Sequence, residues 1–220
     1  MTIKGDTGDR LVPKIVTNIL PGGCSCRWII QHVEYVTLEA LEMRGGNGYV
    51  EDWVNPRLLR DAIVNVVWEG SSNVIVLDVL RVIEREGAGA ALYHMLHTRL
   101  QSLQHPVVVP VAQQVLALVS QLAERLQELT SLDHESAQLP MRGLVERLTQ
   151  LTIVTLLLEQ AQDELLRDSA GTGKRKWLIA LLYLHRHVLV HPDGWAADND
   201  PTALNHFDTL VDWKPVATII

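Results

Sequence analysis

Apolar side chains recur every three or four residues through most of this chain, and that spacing limits the fold more than any other feature. One face of a helix has this period, whereas a half-buried strand alternates every second residue. No segment combines a clear alternation with the turn residues of a hairpin. The sequence therefore predicts an all-α fold, in which a helical bundle is followed by an additional helical subdomain.

Asparagine, proline, serine and glycine mark the predicted helix ends. Asn55-Pro56 is expected to open a helix that stops after Trp68, because Asn is a favoured N-cap and Pro fits the first helical position. The next helix is expected to use Ser71 or Ser72 as its cap and to end at Gly87. The residues predicted to be buried are Leu58, Leu59, Ala62, Ile63 and Val66 in the first helix, and Ile75, Leu77, Val79, Leu80 and Ile83 in the second.

The rest of the chain follows the same helical spacing. The long non-periodic connection at 169–173 is too short for a domain linker, and no internal repeat is visible. A boundary near Gly87 divides the chain into a predicted domain of residues 1–87 and a helical subdomain of residues 88–220. The remaining predicted helices cover residues 28–43, 90–104, 111–129, 142–167 and 175–190.

Composition and charge narrow the class of protein. At 220 residues and 47% apolar, the chain is long enough to bury a core of its own. Residues 1–87 carry 9 Lys and Arg against 12 Asp and Glu, and residues 88–220 carry 10 against 14, so neither part offers a basic surface. Charges interrupt the first twenty positions, and the apolar runs are shorter than the roughly 20 residues that span a membrane. We expect a cytoplasmic protein without membrane or nucleic-acid partners.

Cysteine and histidine residues form no recognisable metal motif. Cys24 and Cys26 are too close in sequence for an ordinary disulfide, and they supply half the ligands of a structural zinc site. His185 and His187, two positions apart, fall on different faces of a helix. We interpret the cysteines as plain thiols and expect no metal site.

The run Gly45-Gly46-Asn47-Gly48 has two interpretations. Glycines let backbone amides approach a phosphate closely, but glycine is also the usual residue after a helix C-terminus. The dinucleotide-binding fingerprint must follow a strand and open a helix, whereas this run follows a predicted helix. A Rossmann site is therefore excluded, and the residues alone favour a helix-ending turn over a phosphate contact.

Glu69 lies in the sequence VWEGSSN, at the predicted joint between two helices. The ordinary interpretation is a solvated carboxylate at a helix end. The alternative is a general base, because the neighbouring Trp68 would partly desolvate the carboxylate and make it more basic. Gly70 leaves room for a ligand, and the amides that open the next helix favour negative charge nearby. The residues alone leave both interpretations open.

Two further groups of charges are expected on helix surfaces. The adjacent Arg60 and Asp61 form an apparent ion pair, for which a role at a ligand or an interface is the alternative. The basic residues Lys174, Arg175 and Lys176 precede a predicted helix, where a solvated helix start is the ordinary interpretation and a phosphate contact the alternative.

Taken together, the block from Ala40 to Ile83 resembles the C-terminal helical domain of acyl-CoA dehydrogenases, and within that family the AidB-like branch. The resemblance is carried by GGNGY, PRLLRDA and WEGSSN, which stand in the order and spacing of the family. It implies that Glu69 is the general base that takes the α-proton of an acyl-CoA-like thioester, with Gly70 beside the substrate. Residues 88–220 resemble the extra helical tail of the same branch, with fewer motifs.

The resemblance also implies FAD as the cofactor. Small residues after the Glu-Gly pair contact FAD in the family, and Ser71, Ser72 and Asn73 occupy those positions here. A second contact is a QxLGG-type turn, usually made to the flavin of a neighbouring subunit. Here it reads Glu42-Met43-Arg44-Gly45-Gly46, so the expected cofactor residues are Arg44, Gly45 and Gly46, with departures from the family pattern at Glu42 and Arg44.

Family members place an N-terminal helical domain and a middle β-domain before the part that this chain resembles. We therefore expect an N-terminally truncated chain that needs those missing domains, or further copies in a homo-oligomer, to bind FAD and turn over. One alternative is a non-catalytic helical scaffold or oligomerisation domain. Another is the DNA-associated alkylation response of the AidB-like branch, which the acidic tail does not favour.

Overall fold

The computed structural model describes residues 25–68, 72–167, 174–189 and 205–212, with the backbone alone at 25–31, 66 and 72. Helices make up 85% of the described part, which contains no strand. The all-α prediction is confirmed. The helices are α1 Ser25–Met43, α2 Gly46–Tyr49, α3 Asn55–Trp68, α4 Ser72–Glu86, α5 Ala88–Gln101, α6 Val109–Leu129, α7 His134–Gln138, α8 Met141–Arg167, α9 Lys174–Tyr183 and α10 Phe207–Asp212, with a π-helical turn, Leu184–Val188, continuing α9.

The predicted helix ends agree with the structure to within a few residues. Helix α3 begins at Asn55 itself and ends at Trp68, and α4 begins at Ser72. Gly87 follows α4 with φ of 66°, a left-handed conformation that glycine adopts without steric cost. The sequence features that punctuate helices therefore located this pair of helices correctly.

The periodicity missed three short helices, α2, α7 and α10, none longer than six residues. Helix α7 is too short to show an apolar repeat, and it is set by its cap instead. The Asp133 carboxylate accepts hydrogen bonds from the backbone N–H groups of Glu135 and Ser136, at 3.1 and 3.0 Å. The hydroxyl of Ser136 also donates to this carboxylate at 2.6 Å, and these hydrogen bonds lower the pKa of Asp133.

The chain forms two compact units. Within the described residues, one unit contains 25–92 and 127–149, and the other contains 93–126 and 150–212. The predicted division at Gly87 stays a prediction.

In the unit that contains α1 to α4, the helices differ in burial. Helix α1 packs chiefly against α3, and the short α2 contacts both. The apolar side of α4 is buried as predicted, except that Leu77 is exposed. On α3, Ala62 is buried, as are Asn55 and Pro56 at the start of the helix, whereas Leu58 and Ile63 are each 43% exposed. The predicted burial is therefore wrong at Leu58 and Ile63; Leu59 is half-buried, and the side chain of Val66 lies outside the described residues.

In the other unit, long helices bury continuous apolar rows. The core includes Val115 and Val119 of α6, Val154 and Leu158 of α8, and Trp177 of α9. Hydrogen bonds fasten the ends of these helices.

Gln162 and Arg175 make two of those end contacts. Gln162 Oε1 accepts from the backbone N–H of both Gln104 and His105. Arg175 donates twice to the carbonyl oxygen of Leu210, at 3.0 and 2.9 Å, and Lys176 pairs with Glu164. Two members of the basic cluster at residues 174–176 are thus engaged within the chain.

Candidate active site

The glycine run closes helix α1 and turns the chain into α2. The backbone N–H of Arg44 donates to the Leu41 carbonyl at 3.2 Å, and that of Gly45 donates to Glu42 at 2.9 Å. Gly45 then adopts φ 56° and ψ −137°, a backbone conformation that residues other than glycine rarely occupy. The run is therefore a helix-ending turn, as the sequence favoured.

The glycines of this turn face different surroundings. Gly48 is buried against α1, and a Cβ there would overlap the carbonyl group of Leu41. At Gly45 and Gly46 a Cβ would meet no atom within 4 Å. Gly48 is needed so that the turn can lie against the helix, whereas the backbone of Gly45 and Gly46 is open to an approaching group.

Arg44 is engaged by residues at the start of α3. Its Nη1 donates a 3.0 Å hydrogen bond to Oδ1 of Asn55, which is buried. The guanidinium also lies 5.0 Å from the centre of the Trp53 ring, within the range of a cation–π contact. The predicted cofactor residue Arg44 therefore has partners inside the chain, and the sequence alone gave no sign of them.

Arg60 also fastens the loop before α3. It makes two hydrogen bonds to the Glu51 carboxylate, at 2.6 and 2.9 Å, which hold the pKa of Glu51 below its usual range and raise that of Arg60. The sequence suggested Asp61 as its partner, but Asp61 lies 3.9 Å from Arg57 instead. The predicted pair of Arg60 and Asp61 is wrong because the side chains of adjacent residues on a helix point in different directions.

The predicted joint lies between the end of α3 and the start of α4. Glu69, Gly70 and Ser71 fall outside the described residues, so their predicted roles stay predictions. Ser72 is the first residue of α4, and the side chain of Asn73 in the same turn is exposed.

The surroundings of the joint are open on the α3 side. Trp68 ends α3 with 78% of its surface exposed, and Val67 is also largely exposed. The indole is therefore open to solvent at this end of α3. Since α3 has 14 residues, the Arg44 partner Asn55 and the joint after Trp68 lie at opposite ends of a helix roughly 20 Å long.

The helices that surround the glycine turn and the joint, α1 to α4, are similar to those of a known protein family. Residues 28–84, from within α1 almost to the end of α4, match the family model of the acyl-CoA dehydrogenase C-terminal domain. The predicted resemblance is confirmed for this segment.

Two curated relatives show how far the similarity extends. The acyl-CoA dehydrogenase-like protein AidB of Escherichia coli (strain K12) is 48% identical over 58 residues, which are 26% of this chain and 10% of AidB. Acyl-CoA dehydrogenase family member 11 of Caenorhabditis elegans is 59% identical over 44 residues, 20% of this chain and 7% of that protein. No solved structure matches the chain significantly. The chain thus spans a small part of the curated relatives that it matches.

The described part of the chain contains neither a membrane-spanning helix nor a metal-binding cluster. No helix there has the length and apolar content needed to cross a bilayer. Over the same residues, no three His, Cys, Asp or Glu side chains are grouped so that they could hold a metal ion.

Proposed function

We propose that this chain is the C-terminal helical part of an FAD-dependent oxidoreductase of the acyl-CoA dehydrogenase type, which removes hydrogens from the α- and β-carbons of an acyl thioester. The observation that carries the proposal is the family match over residues 28–84, which contains both the glycine turn and the helix joint. The substrate class and the cofactor follow from the family.

Glu69 acts as the general base in this proposal. The thioester carbonyl acidifies the α-carbon, so a carboxylate beside it can remove a proton. The backbone N–H of Glu69 is suited to donate to the carbonyl oxygen as negative charge develops there. Gly70 has no side chain to obstruct the substrate.

Two groups of residues are suited to hold FAD, which when bound supplies the acceptor for the β-hydride. One is the polar sequence Ser71, Ser72 and Asn73, of which Asn73 is exposed at the start of α4. The other is the turn at Arg44, Gly45 and Gly46, where the open Cβ positions allow a cofactor to reach the backbone. The family resemblance implies that the turn contacts the flavin of a neighbouring subunit, and here the two groups flank opposite ends of a helix roughly 20 Å long.

The predicted base needs partial desolvation if its basicity is to be raised. Trp68, which directly precedes it in the sequence, is 78% exposed. We infer that further domains of a longer protein, or another copy of the chain, cover this end of α3. Activity of the chain alone is therefore expected to be low or absent.

The test is flavin retention followed by a dehydrogenation assay. The purified chain is incubated with FAD, free cofactor is removed, and the visible spectrum is recorded before acyl-CoA and an artificial electron acceptor are added. Retained flavin supports the proposal. In any assembly that turns over, Glu69→Gln should abolish dehydrogenation and keep the flavin, whereas the control Glu39→Gln, at an exposed position of α1, should keep both the activity and the flavin. Activity that survives Glu69→Gln would contradict the base assignment.

A second candidate function is a non-catalytic scaffold that keeps the family's interface. It is favoured by the exposed apolar side chains on α1 and α3, since contiguous exposed apolar surface commonly marks an interaction site. Light scattering combined with size-exclusion chromatography separates the two. A discrete oligomer that retains no FAD and shows no turnover supports the scaffold, and an oligomer that retains FAD supports the enzyme.

A further inference from the structure

The turn that precedes α2 is held at three places, and only one of them depends on a long side chain. The first is the pair of hydrogen bonds from Arg44 and Gly45 to the last turn of α1. The second is the close contact of Gly48 with Leu41. The third is the Arg44 side chain, which reaches Asn55 and Trp53 across the loop.

The third contact matters because Gly45 and Gly46 have no side chains that could anchor their own backbone. Glycine has the largest conformational freedom of all residues, so its backbone must be fixed by its neighbours. Arg44 directly precedes Gly45, and Asn55 is both buried and the first residue of α3. A hydrogen bond between them links the open part of the turn to the start of a helix.

The two partners of Arg44 suit a guanidinium in particular. Its planar group can donate to an amide oxygen while its face or edge lies near an aromatic ring, whereas a lysine ammonium has no planar group for the second contact. With Nη1 on Asn55 and the carbon of the guanidinium 5.0 Å from the Trp53 ring, the direction of the group is set by the chain itself.

We propose that Arg44 is a positioning residue, which holds the Gly45-Gly46 backbone in place through Asn55 and Trp53 and does not itself contact the cofactor. This inference rests on the proposed function for its purpose, since the turn is the expected site of an FAD contact. How firmly these contacts hold the backbone of the turn can be measured without FAD.

The first experiment measures amide hydrogen exchange of residues 44–48 in the full chain by mass spectrometry. Arg44→Lys and Asn55→Ala should each speed exchange in this segment about threefold or more, and the double variant should be no faster than the faster single variant. Asn55→Asp, which keeps an acceptor oxygen, should stay close to the wild type. Arg57→Lys, at an exposed arginine two positions after Asn55 on α3, is the matched control and should leave exchange of residues 44–48 unchanged.

Exchange that is unchanged in both single variants, or effects that simply add in the double variant, would overturn the inference. The variant Trp53→Leu tests the ring separately. It should speed exchange, and Trp53→Phe should restore most of the wild-type rate because phenylalanine keeps an aromatic face. Equal effects of Leu and Phe would remove Trp53 from the proposal.

The second experiment measures FAD affinity of the same variants. If Arg44 acts through its partners, Asn55→Ala should weaken FAD binding by about the same factor as Arg44→Lys, roughly three- to tenfold, and Asn55→Asp should restore it. Weakening by Arg44→Lys alone would assign Arg44 to the cofactor directly and overturn the inference. A wild-type chain that retains no FAD by itself is expected if the site needs further domains or copies, and the exchange result then decides whether Arg44 holds the turn.

Discussion

Helices α1 and α3 differ from the helices of residues 109–188 in how far their apolar side chains are buried. Met43 at the end of α1 is 88% exposed and Trp68 at the end of α3 is 78% exposed, whereas Ala62 of α3 is buried. On α6 and α8, Val115, Leu151 and Val154 are completely buried. Helices α1 and α3 therefore leave large apolar side chains exposed, whereas α4, α6 and α8 bury most of theirs.

This difference explains why recognisable motifs do not amount to a complete site. A sequence keeps apolar residues on a helix face when something covers that face, since exposed apolar area weakens both solubility and stability. The helices α6 and α8 find that cover in their own unit. Helices α1 and α3 leave the same kind of residue in water, as expected for a surface made to meet another domain or chain.

The largest expected effect comes from the buried helices. Leu151→Ala should lower the free energy of unfolding by about 2–5 kcal/mol, because the side chain is fully buried and its removal leaves a cavity. Leu58→Ala, the same change at an exposed position of α3, should cost less than about 1 kcal/mol. Urea unfolding followed by circular dichroism measures both. Equal losses would show that α3 is covered in solution, and the comparison would fail.

The glycine turn should give the next largest effect. Gly48→Ala should destabilise its unit by about 1–3 kcal/mol, because the added Cβ would overlap the Leu41 carbonyl and the backbone must move. Gly46→Ala adds its methyl group to open space and should change stability by less than about 0.5 kcal/mol. Thermal unfolding of the two variants checks the difference. A neutral Gly48→Ala would mean that the turn does not lie against α1.

Self-association tests the uncovered surface directly. Val67→Lys together with Trp68→Gln should reduce binding of a hydrophobic dye by about twofold or more and should shift any oligomer towards monomer, since both side chains are largely exposed. Leu166→Gln, at an exposed position of α8, is the matched control and should leave the oligomer unchanged. An oligomer that persists in the double variant would place the contact elsewhere.

Much of this fold follows from the sequence, and the exceptions have physical reasons. Asn55-Pro56 and Gly87 located helix ends because capping and left-handed backbone are local effects. Periodicity showed which residues share the apolar side of α3 but could not show whether a neighbouring element covers it. The short helix α7 had no periodicity to detect.

The candidate site was predictable in its motifs and not in its contacts. The hydrogen bond from Arg44 to Asn55 joins residues eleven positions apart. Arg60 donates to Glu51, nine positions away, and its neighbour Asp61 pairs with Arg57. Such pairings depend on how a loop folds back, which residue types alone do not specify. Glu69, Gly70 and Ser71 keep the roles that the family resemblance implies, as predictions.

The smallest expected effect concerns pH and again belongs to the loop before α3. Because hydrogen bonds from Arg60 lower the pKa of Glu51 in the folded chain, the pair contributes stability above the unfolded pKa of roughly 4.3 and loses it as pH falls through the folded value. Glu51→Gln should therefore reduce the urea midpoint slightly at pH 7 and not at pH 3. Both side chains are exposed to solvent, so the difference should be close to the limit of detection. A difference for Glu51→Gln that grows towards low pH would show that the carboxylate is not stabilised by Arg60 in solution.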